Sequence, residues 1–364
     1  MNNPSVSTPL RIAAAQSPST PGDVARNVLT HLAFVRVAAS EGVQVLLVPE
    51  LSLTGYEPVE LAANVLDADH AALAPLRQAA REQGMAIVVG GPAAPVQAGA
   101  LPAIGAWVLA PDGSVALYRK RHLHTSEELF ASAGTHDAQV HLLAGEPTGM
   151  AVCADITHPE HARAAHGAGA ALYAAGALIS HQGYGPESAL LLGYAREHAM
   201  AVLLANYSGP SGGYVSAGRS AVWEPGGRCV VAAEGDAPCI VWAARGDSGW
   251  SGGVVAVSAG LLYEAGGRVL AYSACGATML VLSVSAGVSS WWLCRRSTSA
   301  LNAVWLASAR PTAARCPRQR RGCPAGTHGA TTRPRGRRLA RRSRPLPPGR
   351  FAEGQGIQDI QCIV

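Results

Sequence analysis

The run Val43-Gln-Val-Leu-Leu-Val-Pro-Glu50 predicts a buried strand, because five of its first six residues are apolar and do not alternate with polar ones. Pro49 ends the run, since proline has no N–H to donate to a strand ladder. Glu50 follows at the open end beyond the strand. Continuous apolar strands belong to sheets that are covered on both faces. The run therefore indicates an α/β domain with a carboxylate at a strand end.

Helices and strands alternate on both sides of this run. Helical spacing of apolar residues predicts helices over 24–40, 71–83 and 189–200, and a further helix that starts at 159–166. The predicted strands are 11–16, 43–48, 85–89, 105–109, 114–118, 149–153, 170–173 and 201–205, with short ones near 220, 230 and 240. Mixed strands with helices between them indicate a layered α/β domain.

Lys120 is the single lysine among 29 basic side chains. A composition rich in Ala, Gly and Arg is typical of a coding bias that replaces lysine by arginine wherever either serves. Lysine is a compact point charge that can approach one oxygen closely and can lose its proton when buried, whereas arginine is a planar fork that stays charged. Lys120 is therefore a candidate catalytic residue. The alternative is a surface lysine kept by chance.

Glu50, Lys120 and Cys153 each follow a predicted strand, where reactive groups of layered α/β folds collect. Each residue also has an ordinary explanation, since Cys153 can be a small core residue and Glu50 can begin a turn. Together their chemistry favours nucleophilic acyl transfer: a thiolate attacks a carbonyl or nitrile carbon, and a carboxylate moves the proton. The lysine ammonium and the N–H of Ala154 would stabilise the oxyanion.

Several motifs in order resemble the nitrilase, or carbon–nitrogen hydrolase, superfamily over residues of about 10–250. The motifs are Pro49-Glu50 with Thr54-Gly55-Tyr56, Tyr118-Arg-Lys120-Arg-His-Leu123, Cys153-Ala-Asp155 with Pro159-Glu160, Tyr194-Ala-Arg196-Glu197, Ala205-Asn206 and Ser216-Ala-Gly218-Arg-Ser220.

The resemblance implies a four-layer α-β-β-α sandwich, and a homodimer or larger homo-oligomer in which sandwiches join into a longer layered stack. It implies Glu50 as general base, Lys120 as oxyanion stabiliser and Cys153 as nucleophile, whose thiol pKa Lys120 is expected to lower. It also implies a second glutamate after the lysine. Glu127 and Glu128 both qualify, and the spacing to Phe130 and Gly134 favours Glu127.

The resemblance implies substrate contacts from Tyr56, His158 and Asn206. The family's nitrile-specific members place Trp-Glu after the cysteine, and Ala154-Asp155 here favours an amide or carbamoyl substrate. Asp155 is expected to be structural, accepting backbone N–H bonds at the turn into the next helix. Thr157-His158 replaces the arginine of amidase relatives that bind a substrate carboxylate.

The chain has 364 residues, which is enough for one large domain or two ordinary ones. Residues 1–245 hold 13 Arg and Lys against 20 Asp and Glu, whereas residues 246–364 hold 16 Arg against 4 acids. We therefore predict a carbon–nitrogen hydrolase domain over 10–250, whose last strand ends near Ala244 with Gly249-Trp250 as terminal anchor. Residues 251–364 are expected to be a largely disordered or non-native tail, apolar first and then Arg/Pro-rich.

Eight cysteines without a Cys-x-x-Cys pair or a His/Cys cluster at zinc spacing favour a reducing compartment with no disulfide framework and no metal. The polar N-terminus lacks a signal-peptide pattern, so a cytoplasmic location is expected. The uncharged stretch 269–293 has transmembrane length, which leaves a membrane span as an alternative.

The composition and motifs predict a thiol-dependent amidohydrolase without cofactor, acting on a small amide. One alternative is acyl transfer to an amine on the same triad. The other is a non-enzymatic protein whose basic tail contacts nucleic acid or membrane through phosphates. With few aromatic residues to stack on bases, such binding would be unspecific. We do not expect it, because the composition of the tail resembles GC-rich DNA read in a shifted frame.

Overall fold

The computed structural model describes residues 10–134 and 139–258 in full, and between 260 and 306 the backbone of five strands. The helices are α1 (Val24–Ser40), α2 (Ala74–Gln83), α3 (Pro159–Gly167) and α4 (Tyr184–Glu197). The strands are β1 (Leu10–Gln16), β2 (Val45–Leu47), β3 (Ala86–Ala93), β4 (Ala103–Leu109), β5 (Val115–Arg119), β6 (Val140–Leu143), β7 (Glu146–Val152), β8 (Leu172–Ala177), β9 (Ala201–Asn206), β10 (Pro210–Ser211), β11 (Tyr214–Val215), β12 (Ala221–Trp223), β13 (Cys229–Ala232), β14 (Cys239–Gly246), β15 (Gly249–Ala256), β16 (Gly260–Ala265), β17 (Arg268–Ser273), β18 (Thr278–Ser285), β19 (Val288–Ser297) and β20 (Ala300–Leu306).

Two sheets form the body of the molecule. One has the order β15-β14-β1-β2-β3-β4-β5 and the other the order β13-β12-β9-β8-β7-β6. In each sheet three neighbouring strands run parallel, β1-β2-β3 in the first and β7-β8-β9 in the second. The carboxyl ends of parallel strands share one edge of their sheet, and that edge is where α/β folds collect functional groups.

Three apolar cores separate four layers. Ile12 and Ala14 of β1 belong to the core between the two sheets, whereas the alternate residues Ala13 and Ala15 pack with α1 and α2. A third core lies between the second sheet and the helices α3 and α4. Because side chains alternate along a strand, one strand supplies two cores. The predicted α-β-β-α sandwich is therefore confirmed.

The first two helices match their predicted bounds because their end signals are local. Asp23 caps α1 by accepting a hydrogen bond from the backbone N–H of Arg26 at 3.0 Å. A single 3-10 turn (Ala71–Leu73) leads into α2, and Gly84 ends α2 with a left-handed φ of 59°. The fourth helix, in contrast, starts at Tyr184, five residues before its predicted start.

The first sheet does not end near Ala244 as predicted. β15 pairs with β14 along all eight of its residues, from Gly246↔Gly249 to Cys239↔Ala256. A Cβ added to Gly252 would lie 2.6 Å from the carbonyl oxygen of Trp242, so glycine is needed where the two strands meet. The sequence of β15 is rich in Gly and Ser and does not alternate apolar with polar residues, so its pattern does not predict a strand.

The strands β16 to β20 form a separate five-stranded antiparallel sheet in chain order. The stretch 269–293, considered above as a membrane span, runs through β17, β18 and β19. Within the described part of the chain, no helix combines the length and the apolarity that crossing a membrane requires. The predicted unfolded tail covers 251–364. Its first residues belong to β15, and the strands β16 to β20 lie between 260 and 306. Residues 307–364 lie outside the described residues, so for them the prediction stays a prediction.

Candidate active site

Glu50 and Lys120 meet between the two sheets at strand ends. Glu50 lies three residues after β2, and Lys120 follows β5 directly. The Lys120 Nζ donates a hydrogen bond to Glu50 Oε1 at 2.8 Å, and neither side chain is more than 1% exposed. The backbone around Glu50 packs on Gly90 of β3 and Gly176 of β8. A Cβ at Gly90 would lie 2.3 Å from the amide nitrogen of Leu51, so only glycine allows this approach.

Glu127 is the second carboxylate that contacts Lys120. It begins a short 3-10 turn, and its Oε1 accepts a hydrogen bond from Lys120 Nζ at 2.8 Å and one from the Tyr56 hydroxyl at 2.6 Å. Its Oε2 accepts the backbone N–H of His124 at 2.8 Å. Glu128 is exposed. The geometry therefore selects Glu127 from the two adjacent candidates.

Cys153 occupies a strained turn directly after β7. It begins the 3-10 turn Cys153–Thr157 with a φ of 44°, in the left-handed region that residues other than glycine rarely adopt. Strain of this kind persists where surrounding contacts hold it, and such places are often functional sites. The side chain is partly buried and packs against the core between the sheets.

Asp155 holds this turn in place. Its Oδ2 accepts the backbone N–H of Val152 at 3.0 Å and the hydroxyl of Tyr118 at 2.7 Å, while its Oδ1 accepts the backbone N–H of His122 at 2.8 Å. One buried carboxylate thus ties the Cys153 turn to the segment that follows Lys120. The prediction that Asp155 is structural is confirmed.

In both Glu50 and Lys120, burial shifts the pKa in one direction and the charge of the other residue shifts it in the opposite direction. Burial raises the pKa of Glu50 to about 7, against the lowering effect of the Lys120 charge. Burial lowers the pKa of Lys120, but the charges of Glu50, Cys153 and Glu127 outweigh it, so this pKa lies above its ordinary value. Lys120 is therefore a permanent cation. Glu50 titrates near neutral pH, as a general base should, and its Oε2 has no hydrogen-bond partner among the residues described.

The expectation that Lys120 lowers the pKa of Cys153 below its ordinary value is wrong. Burial and the charge of Glu50 raise the pKa of this thiol well above that value, and the lowering effect of Lys120 is smaller. The resting side chain is thus a neutral thiol. Ionisation requires a base beside it, and Glu50 is the carboxylate with the strongest influence on Cys153.

Glu187 is a further carboxylate near this cluster that the sequence analysis missed. It lies in the first turn of α4 and is 8% exposed. Burial, followed by the charge of Glu50, raises its pKa to about 7. Its own charge contributes to the raised pKa of Cys153. A glutamate near a helix start is unremarkable in sequence, so only the fold reveals its position.

The three expected substrate contacts differ in outcome. Tyr56 donates its hydroxyl to Glu127 and therefore stands beside the cluster. His158 donates a hydrogen bond from Nδ1 to the carbonyl of Ala154, and its ring stacks on His122. No hydrogen bond within the described residues joins it to Glu50 or Lys120.

Asn206 offers no free group to a substrate, which corrects the expectation that it binds one. Its Oδ1 accepts the backbone N–H groups of Ile179 and Tyr207, and its Nδ2 donates to the carbonyls of Ile179 and Gly218. The side chain is fully buried. Asn206 therefore fixes the loops beyond β8 and β9, because every polar atom of its amide is already paired.

Two known proteins are similar to 60% and 62% of this chain. It is 32% identical over 228 residues to a glutamine-dependent NAD(+) synthetase of Xylella fastidiosa, covering 60% of this chain and 41% of that protein, so it spans less than half of that relative. It is 30% identical over 234 residues to an (R)-stereoselective amidase of a Pseudomonas species, covering 62% and 82%.

Solved structures of an amidase from Nesterenkonia sp. AN1 share the fold. A variant in complex with butyramide has a TM-score of 0.58 and 31% identity, covering 65% of this chain and 90% of that one. Another variant, with a TM-score of 0.59 and 30% identity over 66% and 91%, carries the acetamide moiety of fluoroacetamide covalently at its active-site cysteine. The carbon–nitrogen hydrolase family model matches residues 11–244. With the sandwich fold and the buried Glu–Lys pair beside a strained cysteine, this match shows that the chain belongs to the carbon–nitrogen hydrolase family.

Proposed function

We propose that this protein hydrolyses the C–N bond of a small amide through a thioester on Cys153. One observation carries the proposal: a fully buried Lys120 bridges Glu50 and Glu127 at 2.8 Å each, and all three groups lie close enough to Cys153 to shift its pKa. A buried charge is costly unless it is paired, and two carboxylates around one ammonium are a costly arrangement for structure alone. Such perturbed groups collect at catalytic sites.

The steps follow from the protonation states of the cluster. Glu50 takes the proton of the Cys153 thiol as the sulfur attacks the carbonyl carbon and forms a C–S bond. The carbonyl oxygen becomes an oxyanion, which the Lys120 ammonium and the N–H of Ala154 stabilise. Glu50 then gives the proton to the leaving nitrogen, the C–N bond breaks, and ammonia departs.

Hydrolysis of the thioester uses the same groups. Glu50 accepts a proton from water while the water oxygen attacks the thioester carbon. The C–S bond then breaks, Glu50 returns the proton to the sulfur of Cys153, and the carboxylic acid is released. Lys120 and Ala154 stabilise this second oxyanion. Glu127 holds the ammonium in position during both steps through its hydrogen bond. Acyl transfer to an amine instead of water is the alternative on the same site.

Small uncharged aliphatic amides are the proposed substrates. The related Nesterenkonia amidase binds butyramide, which supports this class. Glu187 places negative charge near the cluster, which opposes substrates that carry a carboxylate, such as glutamine. Ala154 and Asp155 follow the cysteine where nitrile-specific relatives carry Trp-Glu, so amides are favoured over nitriles.

The test is ammonia release by the purified full-length chain from acetamide, butyramide, glutamine and butyronitrile. We expect turnover of the two aliphatic amides and a mass increase on Cys153 equal to the acyl group. The Cys153→Ala variant should lose both signals. The matched control Cys239→Ala, a buried thiol on β14, should keep them. An active Cys153→Ala variant would refute the thioester.

A further inference from the structure

His122, His158 and Glu160 converge outside the catalytic cluster. One ring nitrogen of each histidine and one carboxylate oxygen all lie within 4.8 Å of one another. The two imidazole rings stack with centroids 3.9 Å apart and planes 12° apart. His122 Nε2 lies 3.9 Å from Glu160 Oε1. The three side chains come from two segments, the one after Lys120 and the start of α3, so spacing in the sequence does not reveal them.

Asp155 orients the first ring. Its Oδ1 lies 3.0 Å from His122 Nδ1. Its Oδ1 already accepts the backbone N–H of His122 at 2.8 Å, and its Oδ2 accepts the backbone N–H of Val152 and the hydroxyl of Tyr118, so both oxygens of the carboxyl act as acceptors. Nδ1 of His122 must therefore carry the proton, and its Nε2 keeps a free lone pair. A carboxylate behind an imidazole is the usual support of a metal-binding histidine.

The carbonyl of Ala154 orients the second ring in the same way. It lies 2.8 Å from His158 Nδ1, and a carbonyl oxygen can only accept a hydrogen bond. His158 therefore also presents a bare Nε2. The Thr157 hydroxyl lies 3.3 Å from the same Nδ1, but it donates its proton to the Ala154 carbonyl and therefore does not compete. Each ring thus donates from Nδ1 to an oxygen and leaves Nε2 free to bind a metal ion.

We propose that the Nε2 atoms of His122 and His158 and the carboxylate of Glu160 form a binding site for a divalent transition metal ion of the zinc class. Two imidazoles and one carboxylate are a donor set that suits Zn²⁺, whereas Mg²⁺ and Ca²⁺ prefer oxygen alone. With metal–ligand distances of about 2.0–2.2 Å, the three atoms must come to within roughly 3–3.5 Å of one another. The Glu160 side chain, 55% exposed, can move towards the ion, and the two rings, stacked with planes 12° apart, must tilt so that both Nε2 lone pairs point at it.

The site joins two segments that shape the catalytic cluster. His158 is hydrogen-bonded to the turn that begins with Cys153, and His122 stands two residues after Lys120. A bound ion would cross-link the segment after Lys120 to the start of α3. Because the unfolded chain does not hold the three ligands together, the ion stabilises the folded state.

Equilibrium dialysis of the full-length protein against Zn²⁺, followed by metal analysis, tests the site. We expect His158→Phe, which keeps an aromatic ring on His122 but removes the nitrogen, to bind one equivalent less than the unaltered protein. Glu160→Gln should do the same. The matched control is His166→Phe, since His166 of α3 also stacks on a histidine, His198.

Thermal unfolding gives the second measurement. Zn²⁺ should raise the melting temperature of the unaltered protein, of His166→Phe and of Cys153→Ala, and the rise should shrink in His158→Phe. Equal zinc content in His158→Phe and the unaltered protein overturns the proposal. Loss of the bound Zn²⁺ in Cys153→Ala also overturns the proposal, because the ion would then be bound to the catalytic thiol.

Discussion

Replacing Lys120 by arginine tests whether the shape of the cation matters, because the positive charge is kept. The ammonium has three N–H donors, and Glu50 and Glu127 take two of them at 2.8 Å each. The third is left for the oxyanion of the substrate. A guanidinium keeps the charge between the two carboxylates, but its planar fork pairs with both of them and is too large to leave a donor at the same point.

The expected loss in kcat for Lys120→Arg is about 10²–10³-fold, or about 2.7–4 kcal/mol, which is the cost of removing one oxyanion donor. The loss in the free energy of unfolding should be smaller. The larger head group in a fully buried position costs about 1–3 kcal/mol of the free energy of unfolding. Removing the charge, as in Lys120→Met, would leave two buried carboxylates without a counter-charge and cost more, about 3–5 kcal/mol.

The assay is steady-state ammonia release from butyramide, with thermal unfolding of the same samples to show that Lys120→Arg is folded. The matched control is Arg245→Lys, which changes the same pair of residue types at an exposed ion pair with Glu146. It should leave kcat unchanged. A folded Lys120→Arg enzyme with kcat within tenfold of the unaltered protein would refute the assignment of Lys120 to the oxyanion.

Four further outcomes are expected. The ratio kcat/KM should rise with pH through about 7, because Glu50 must lose its proton before it can accept one from the thiol, and a flat profile between pH 5 and about 8 would contradict its role. Glu187→Gln removes a charge that repels Glu50, so the rise should move to lower pH, whereas the exposed Glu197→Gln on the same helix should not move it. Trypsin should cut rapidly after the arginines between 310 and 350, beyond β20, and a chain truncated after Ser258, beyond β15, should keep its hydrolase activity; loss of activity would show that the later residues are a genuine second domain. Light scattering on that truncated chain should give a dimer or a larger assembly, and a monomer would exclude the family's usual association.

The sequence alone was sufficient for the layered fold and for three of the site residues. Continuous apolar runs and local end signals, such as Asp23 and Gly84, act over a few residues, so they predict elements without knowledge of their neighbours. Glu50, Lys120 and Cys153 could be found because each follows such a run and because their chemistry is complementary.

Tertiary structure decided everything that depends on contacts between distant segments. The choice of Glu127 over Glu128 depends on which carboxylate turns inward to Lys120, and the two are adjacent in the chain. β15 forms because it can hydrogen-bond to the edge of β14, although the glycines of β15 have low strand propensity.

The sign of the Cys153 pKa shift was likewise beyond the sequence. A neighbouring lysine lowers a thiol pKa, but burial and the charge of Glu50 raise it more, and the balance depends on depth and distance in the folded protein. Asn206 shows the same limit, since a polar residue at a strand end can bind substrate or bind its own backbone. Sequence determines which groups are available to a site, and only packing determines which of them remain free to act.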